Sequence, residues 1–305
     1  MRITFLGTSA GIPTPHRNVS ATALIPDQSG EWILFDCGEG TQHNIMKSSL
    51  RLGRLGKIFI THMHGDHIYG LFGLMASRGM QSCGKKLTLY APAGIVELIE
   101  TVFRISDLKL SFDLDIVEIQ SGDKFDFENY HIECVELSHS ITSFGFVLTE
   151  NDRPGKLDIE KALSLGVPNG ALLGKLKRGE IITLQNGKTI DGKNLLGNTI
   201  PGKRVIIGGD NDRPELFMKY TEADLMIHEA TYTQKDFDSL EKKYKHSTAR
   251  QVAIVAEKMR VKRLILNHIS PRYDNKERTN ELLEEAKRYY TGTVQIANDF
   301  MQIDI

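Results

Sequence analysis

Apolar and polar positions along the chain fall into two alternating rhythms. Short runs rich in β-branched and aromatic residues recur as "RITFLG", "WILFDCG", "KIFITH", "KLTLYAP", "FDLDIVEI", "YHIECVEL" and "FGFVLT", then as "RVIIGGD", "DLMIHEA", "RLILNHI" and "TVQIAND". Runs of this length and composition predict buried or half-buried strands. Between them, helical spacing of apolar positions predicts helices over Gly94 to Ile105, Thr248 to Met259 and Asn280 to Tyr290. Thr248 with Gln251 three positions later is a capping-box signature that opens the second of these. Two groups of strands with helices outside them imply two sheets in an α/β or α+β layered architecture.

The rhythm breaks between Arg153 and Pro201, where "RPGKLDIEKALSLGVPNGALLGKLKRGE" and "NGKTIDGKNLLGNTIPGK" are rich in Gly, Pro and Lys and poor in strand signals. We read residues 153–201 as an insertion within one domain spanning 1–305. Charge sharpens this division. The formal net charge of -1 gives no overall attraction to nucleic acid, yet Arg153 to Arg204 holds ten Lys/Arg against four Asp/Glu. The insertion is therefore basic, and composition alone fits a solvated surface excursion as well as a binding element.

With 305 residues, 40% of them hydrophobic, the chain can bury an ample core. Cys37, Cys83 and Cys134 show no CxxC spacing, which argues against a disulfide framework and a thiolate zinc cage, and fits a reducing cytosol. No stretch approaches the ~20 apolar residues of a membrane span, and "MRITFLGTSAG" is too short for a signal peptide. A soluble cytoplasmic protein with no membrane partner is expected.

The candidate chemistry is concentrated in "THMHGDH", Thr61 to His67, directly after the apolar run "KIFI". Alternation along a strand points His62 and His64 the same way, and Asp66 and His67 follow as the chain turns at Gly65. Imidazole and carboxylate donors suit zinc or manganese in an open hydrolytic site. His139, Asp210 and His268 also close apolar runs, at the end of the strand where ligands collect in such sheets.

Together "GTSAG", "FDCGEGTQ", "THMHGDH", "ELSHS", "GGD", "HEATY", "HSTARQ" and "NHISPRY" resemble ribonuclease Z, the tRNA 3′-processing endonuclease family of the metallo-β-lactamase superfamily. The likeness runs from Arg2 to Asp299. It implies the αβ/βα sandwich of that superfamily, with residues 153–201 as a protruding tRNA-binding arm. By position it implies two Zn2+ per subunit, or Mn2+ or another divalent ion in their place: one held by His62, His64 and His139, the other by Asp66, His67 and His268, with Asp210 bridging. Asp36 is a candidate to orient a ligating histidine, or else it merely starts a turn.

The resemblance further implies a zinc-dependent endoribonuclease that removes the 3′ trailer from precursor tRNA, leaving a 3′-hydroxyl on the tRNA and a 5′-phosphate on the trailer. Asp66 would accept a proton, and Glu229 would orient His246 as proton donor to the departing oxygen. His246 stands just ahead of a helix N-terminus, where the dipole predicts a neutral imidazole. A homodimer is implied, with the arm of one subunit serving the other. His228, His16, His43 and His131 have no ligand-type context, and Arg272 suits either a phosphate contact or a surface salt bridge.

Three departures from the family pattern stand out. "GDNDRP" replaces Gly-Asp-Thr, making Asp212 a rival to Asp210; Pro15 stands where many members carry lysine; and Gly170-Ala171 replaces Gly-Pro in the arm. A small-substrate phosphodiesterase on the same fold and a non-catalytic RNA-binding metalloprotein are the alternative functions.

Overall fold

The computed structural model describes residues 1–27, 29–81 and 84–305, so Cys83 lies outside the described residues. Its contacts divide the chain into two compact units, one of Met1–Asp126, Ile132–Leu148 and Arg204–Ile305, the other of Phe127–His131 and Thr149–Lys203.

The first unit is built on two sheets. Strands β1 (Arg2–Gly7), β2 (Ala21–Ile25), β3 (Trp32–Phe35), β4 (Leu55–Phe59), β5 (Leu87–Ala91) and β6 (Leu114–Glu118) lie side by side in chain order. The first three pair antiparallel, and β3 through β6 run parallel. The second sheet takes β7 (Lys124–Asp126), β8 (Tyr130–Leu137) and β9 (Ser143–Glu150) from the middle of the chain. A hairpin, β10 (Ile181–Thr183) and β11 (Thr189–Asp191), belongs to the second unit. The second sheet then continues with β12 (Arg204–Ile207), β13 (Leu225–Glu229), β14 (Arg263–Asn267) and β15 (Thr293–Ile296), all parallel. The last strand, β16 (Gln302–Asp304), returns to pair with β1. The expected mixed α/β sandwich is the observed one.

The facing sheets meet through aromatic rings. Phe146 of β9 lies 5.6 Å from Phe35 of β3 and 5.2 Å from Phe59 of β4, and Phe59 stacks on Tyr90 at 4.3 Å. Offset and edge-on contacts of this kind add to the area such rings bury. On the outer faces, Leu74, Met75 and Ile95 cover the first sheet, and Val252, Ala256 and Leu282 cover the second. The capping box is present: the Thr248 hydroxyl accepts from Gln251 N and the Gln251 side chain from Thr248 N, opening the helix Ala249–Lys258. The helix expected from Asn280 begins earlier and runs Lys276–Lys287, because the Asn275 side chain caps it at Arg278 N, 2.9 Å away.

The second unit differs from its loop-like sequence. Two short helices, Ile159–Ser164 and Ala171–Lys177, pack with the β10–β11 hairpin around Ala162, Leu176, Ile182, Ile190 and Leu195. Its entry and exit are stitched together where Arg153 N donates to Ile200 O (2.9 Å) and Ile200 N to Arg153 O (2.8 Å). Gly170 supplies the φ of +130° that starts the second helix, a conformation closed to most side chains. Cys37 and Cys134 are free and buried, and burial pushes both thiols up. Among the described residues, no helix is long and apolar enough to cross a membrane.

Candidate metal centre

Strand ends in both sheets deliver the donors. β4 stops at Phe59, and the chain turns into a short helix, Gly65–Ile68. His62 is pinned just past the strand by a bridge to Ser143, so the alternation predicted for His62 and His64 belongs to the turn and not to the strand. Asp66 and His67 sit in the helix itself. His139 follows β8, Asp210 follows β12, and His268 directly follows β14. Gly38 permits close approach of the loop after β3, because a Cβ there would lie 2.3 Å from the Asp66 carbonyl oxygen.

The donors fall into three groups, one of which, Asp210 with His246 and His268, overlaps the other two. One atom each from His62, His64, His139 and Asp210 lies within 4.8 Å of the others, and Asp66, His67 and His268 form a second such group. Asp210 faces both with different oxygens. Its Oδ2 is 3.7 Å from His62 Nε2 and 3.9 Å from His139 Nε2; its Oδ1 is 3.6 Å from His67 Nε2 and 3.3 Å from His268 Nε2. Asp212 joins none of these groups, its backbone N donating to Ser138 O at 3.1 Å. His16, His43 and His131 also stand apart.

Four imidazoles are held so that Nε2 faces inward. Nδ1–H of His62 donates to Thr61 Oγ1 (2.9 Å), that of His67 to Asp36 Oδ2 (2.8 Å), that of His139 to Lys245 O (2.9 Å) and that of His268 to Thr231 Oγ1 (3.2 Å). A partner on the far nitrogen fixes tautomer and ring direction, the usual arrangement behind metal-ligating histidines. Asp36 also accepts from Thr61 N at 2.8 Å and adopts φ +58°, so it both orients His67 and forms a turn. His268 is left-handed as well, at φ +52°.

His67 tests whether a cation fits. Its Nε2 is buried with no hydrogen-bond partner, although Asp66 Oδ2 lies 3.4 Å away. Burial disfavours the imidazolium, but Asp36 and Asp210 outweigh burial and hold its pKa well above the ordinary value. Positive charge is thus called for among the three carboxylates. His62 is held well below its ordinary value by burial, then by His67 and His139, leaving a neutral nitrogen donor. A neutral donor at His62 and an orphaned ring nitrogen at His67, with Asp66 and Asp210 beside them, suit a divalent metal.

Beside this centre, Glu229 at the end of β13 is 2% exposed and lies 3.0 Å from His246 Nδ1 through Oε1. Asn211 N (2.6 Å) and Thr231 Oγ1 (2.6 Å) also donate to its two oxygens. Burial acts to keep His246 neutral, as the helix position predicts, but the Glu229 carboxylate overrides it and raises the imidazole. The correction is physical: a carboxylate in contact outweighs a helix terminus two residues away. His228 is fully buried between Glu229 O and the Asn211 amide, as its structural reading requires. Arg272 lies 5.0 Å over the Tyr232 ring, a cation–π contact, and among the described residues it makes no salt bridge.

A cleft of about 610 Å³ opens over both donor groups. Its rim includes Gly11, whose N–H donates to Asp66 Oδ2 at 2.8 Å, and the lysines of residues 242–245. A larger cavity of about 730 Å³ near His16, Arg17, Asp274 and Leu283 holds none of these donors. Sequence reasoning missed Asn211, Thr231, Tyr244 and Lys245. The run "KKYK" immediately ahead of His246 was the available signal for the last two.

A family model described as "Anti-Pycsar protein Apyc1" matches residues 1–154, which take in His62 to His139 and stop as the arm begins. The chain is 42% identical over 312 residues to "Ribonuclease Z" of Rippkaea orientalis, covering 100% of this chain and 98% of that one. It is 44% identical over 302 residues to "Ribonuclease Z" of Listeria monocytogenes, covering 98% and 97%. Among solved structures, the short form of human tRNase Z superposes with a TM-score of 0.70 at 30% identity, covering 100% of this chain and 99% of that one. YhfI from Bacillus subtilis, a metallo-β-lactamase fold protein, shares the fold at TM-score 0.66 and 15% identity, covering 99% and 98%.

Proposed function

The chain belongs to the ribonuclease Z family, and from that premise we propose that its centre cuts the 3′ trailer from precursor tRNA with two zinc ions, manganese serving in their place. The supporting observation is Asp210, whose two oxygens face separate donor groups in one cleft. His62, His64 and His139 with Asp210 Oδ2 would hold one cation, and Asp66, His67 and His268 with Oδ1 the other. A pair of such cations supplies a water nucleophile at neutral pH and charge neutralisation on the phosphoryl oxygens.

The remaining steps fall to side chains. Asp66, its Oδ2 already accepting from Gly11 N–H, takes a proton from the attacking water. His246, kept protonated by Glu229, gives its proton to the departing ribose 3′ oxygen. The tRNA leaves with a 3′-hydroxyl and the trailer with a 5′-phosphate. The basic insertion, residues 153–201, grips double-helical RNA through phosphates, recognising shape more than sequence. We extend the proposal to a cytoplasmic homodimer in which the arm of one subunit serves the centre of the other, as the family resemblance implies.

The test incubates precursor tRNA with purified protein and zinc or manganese and maps the product ends. Cleavage at the trailer junction, lost in Asp210→Ala together with bound metal, is the expected result. Undiminished cleavage after metal is stripped would refute it. Sedimentation at twice the chain mass checks the dimer.

A further inference from the structure

One side of the approach to the metal centre is formed by a strap, residues 242–245, between the helix Gln234–Asp238 and His246. Three lysines and a tyrosine fill its four positions. Tyr244 leaves 51% of its surface open at the mouth of the cleft. Lys242 Nζ lies 5.4 Å from the centre of that ring, and among the described residues neither Lys242 nor Lys245 has an ion pair. Lys243 reaches Asp238 at 3.6 Å, an exposed pairing that leaves its charge largely available. The strap is clasped to His139 in both directions: Lys245 Nζ donates to His139 O (3.1 Å) and His139 Nδ1–H to Lys245 O (2.9 Å). His246 N in turn donates to Tyr244 O at 2.9 Å. A displacement of the strap therefore carries with it one imidazole of a donor group and the group beside Glu229.

A half-exposed aromatic ring among ammonium groups with at most one weak ion pair suits a single-stranded nucleotide, because any base stacks on the ring while lysines take its phosphates. We propose that residues 242–245 position the substrate. The Tyr244 ring stacks on the base of the nucleotide whose 3′ oxygen departs, and Lys242 and Lys243 hold neighbouring phosphates, registering the scissile bond against His139 and His246. The side of the cut follows from His246, which serves the leaving oxygen two residues along from Tyr244. This inference rests on the nuclease reading given above.

The experiment measures wild-type, Tyr244→Ala and Tyr244→Phe holoenzymes on precursor tRNA, on the same precursor made abasic at that nucleotide, and on bis(p-nitrophenyl) phosphate. Tyr244→Ala is expected to raise KM for the intact precursor roughly 5- to 150-fold, the range given by one lost base stack. Tyr244→Phe should restore it. The abasic change should weaken wild type by a similar factor and the alanine variant no further, since both remove one contact. Lys242→Ala and Lys243→Ala should each reduce the salt slope of binding by about 1. An unchanged KM in Tyr244→Ala, or full additivity with the abasic change, overturns the proposal. Equal losses on precursor and small diester, with loss of bound metal, also overturn it, because the ring would then only support the strap. A wild-type enzyme that hydrolyses the small diester and leaves the precursor intact would instead refute the nuclease reading.

Discussion

Asp36 shows how a residue outside both donor groups governs them. Its carboxylate fixes the His67 ring from the far side while its own backbone sits in the left-handed region. Asp36→Ala should lower metal affinity about 10- to 100-fold with the fold retained, as loss of a carboxylate behind a metal-bound histidine does; competition with a chromogenic chelator measures it. Glu229→Gln should lower kcat on precursor tRNA by about 10²- to 10⁴-fold, the usual worth of a proton transfer, with a smaller change in KM. Single-turnover cleavage separates the two effects. The seven side chains that the structure brings together stood out in the sequence through residue type, their places after apolar runs and the family resemblance. Asn211 did not, since it acts through a backbone N–H to which residue type is nearly indifferent, and Thr231 acts through a hydroxyl of a kind too common along the chain to stand out.

Among elements, the arm changes most between sequence and structure. Excising residues 154–179 would strip the helices from Ile182, Ile190 and Leu195 and expose the rest of their core. The cut that respects the structure removes the chain between Arg153 and Ile200 and joins these hydrogen-bonded neighbours with a short turn. That variant should keep its metal and its small-diester hydrolysis and lose precursor cleavage by at least about tenfold through lost phosphate contacts, read as kcat/KM on each substrate. The hairpin inside the arm was missed, although "NG" at Asn186-Gly187 was a signal for it; Leu184 N donates to Lys188 O at 2.8 Å across the turn. Strands of three residues hid it from a search for longer runs. β2 escaped for a different reason: "ATALI" is alanine-rich and lacks the usual strand signature, yet it is held between β1 and β3. At the loop after β3, Gly38→Ala should destabilise the protein by about 1–3 kcal/mol, because its Cβ overlaps a backbone oxygen. A urea midpoint checks this.

At the scale of the whole molecule, the centre joins the two sheets, since β4 and its following turn belong to one and Asp210 and His268 to the other. Bound metal therefore contributes to stability, by about 4 kcal/mol at a free concentration 1,000 times Kd. Chelation should lower Tm, and readdition of zinc should restore it, in a calorimetric scan. The layered class was legible from the strand and helix rhythms, but the return of β16 to β1 was not, because a three-residue strand depends on its neighbour more than on its own composition. The arm, with its private core and a doorway of two backbone bonds, has the properties of a cassette. Under the role proposed for it above, splicing beside Arg153 and Ile200 would give another hydrolase of this architecture a grip on a new macromolecular substrate while its reaction centre stays untouched.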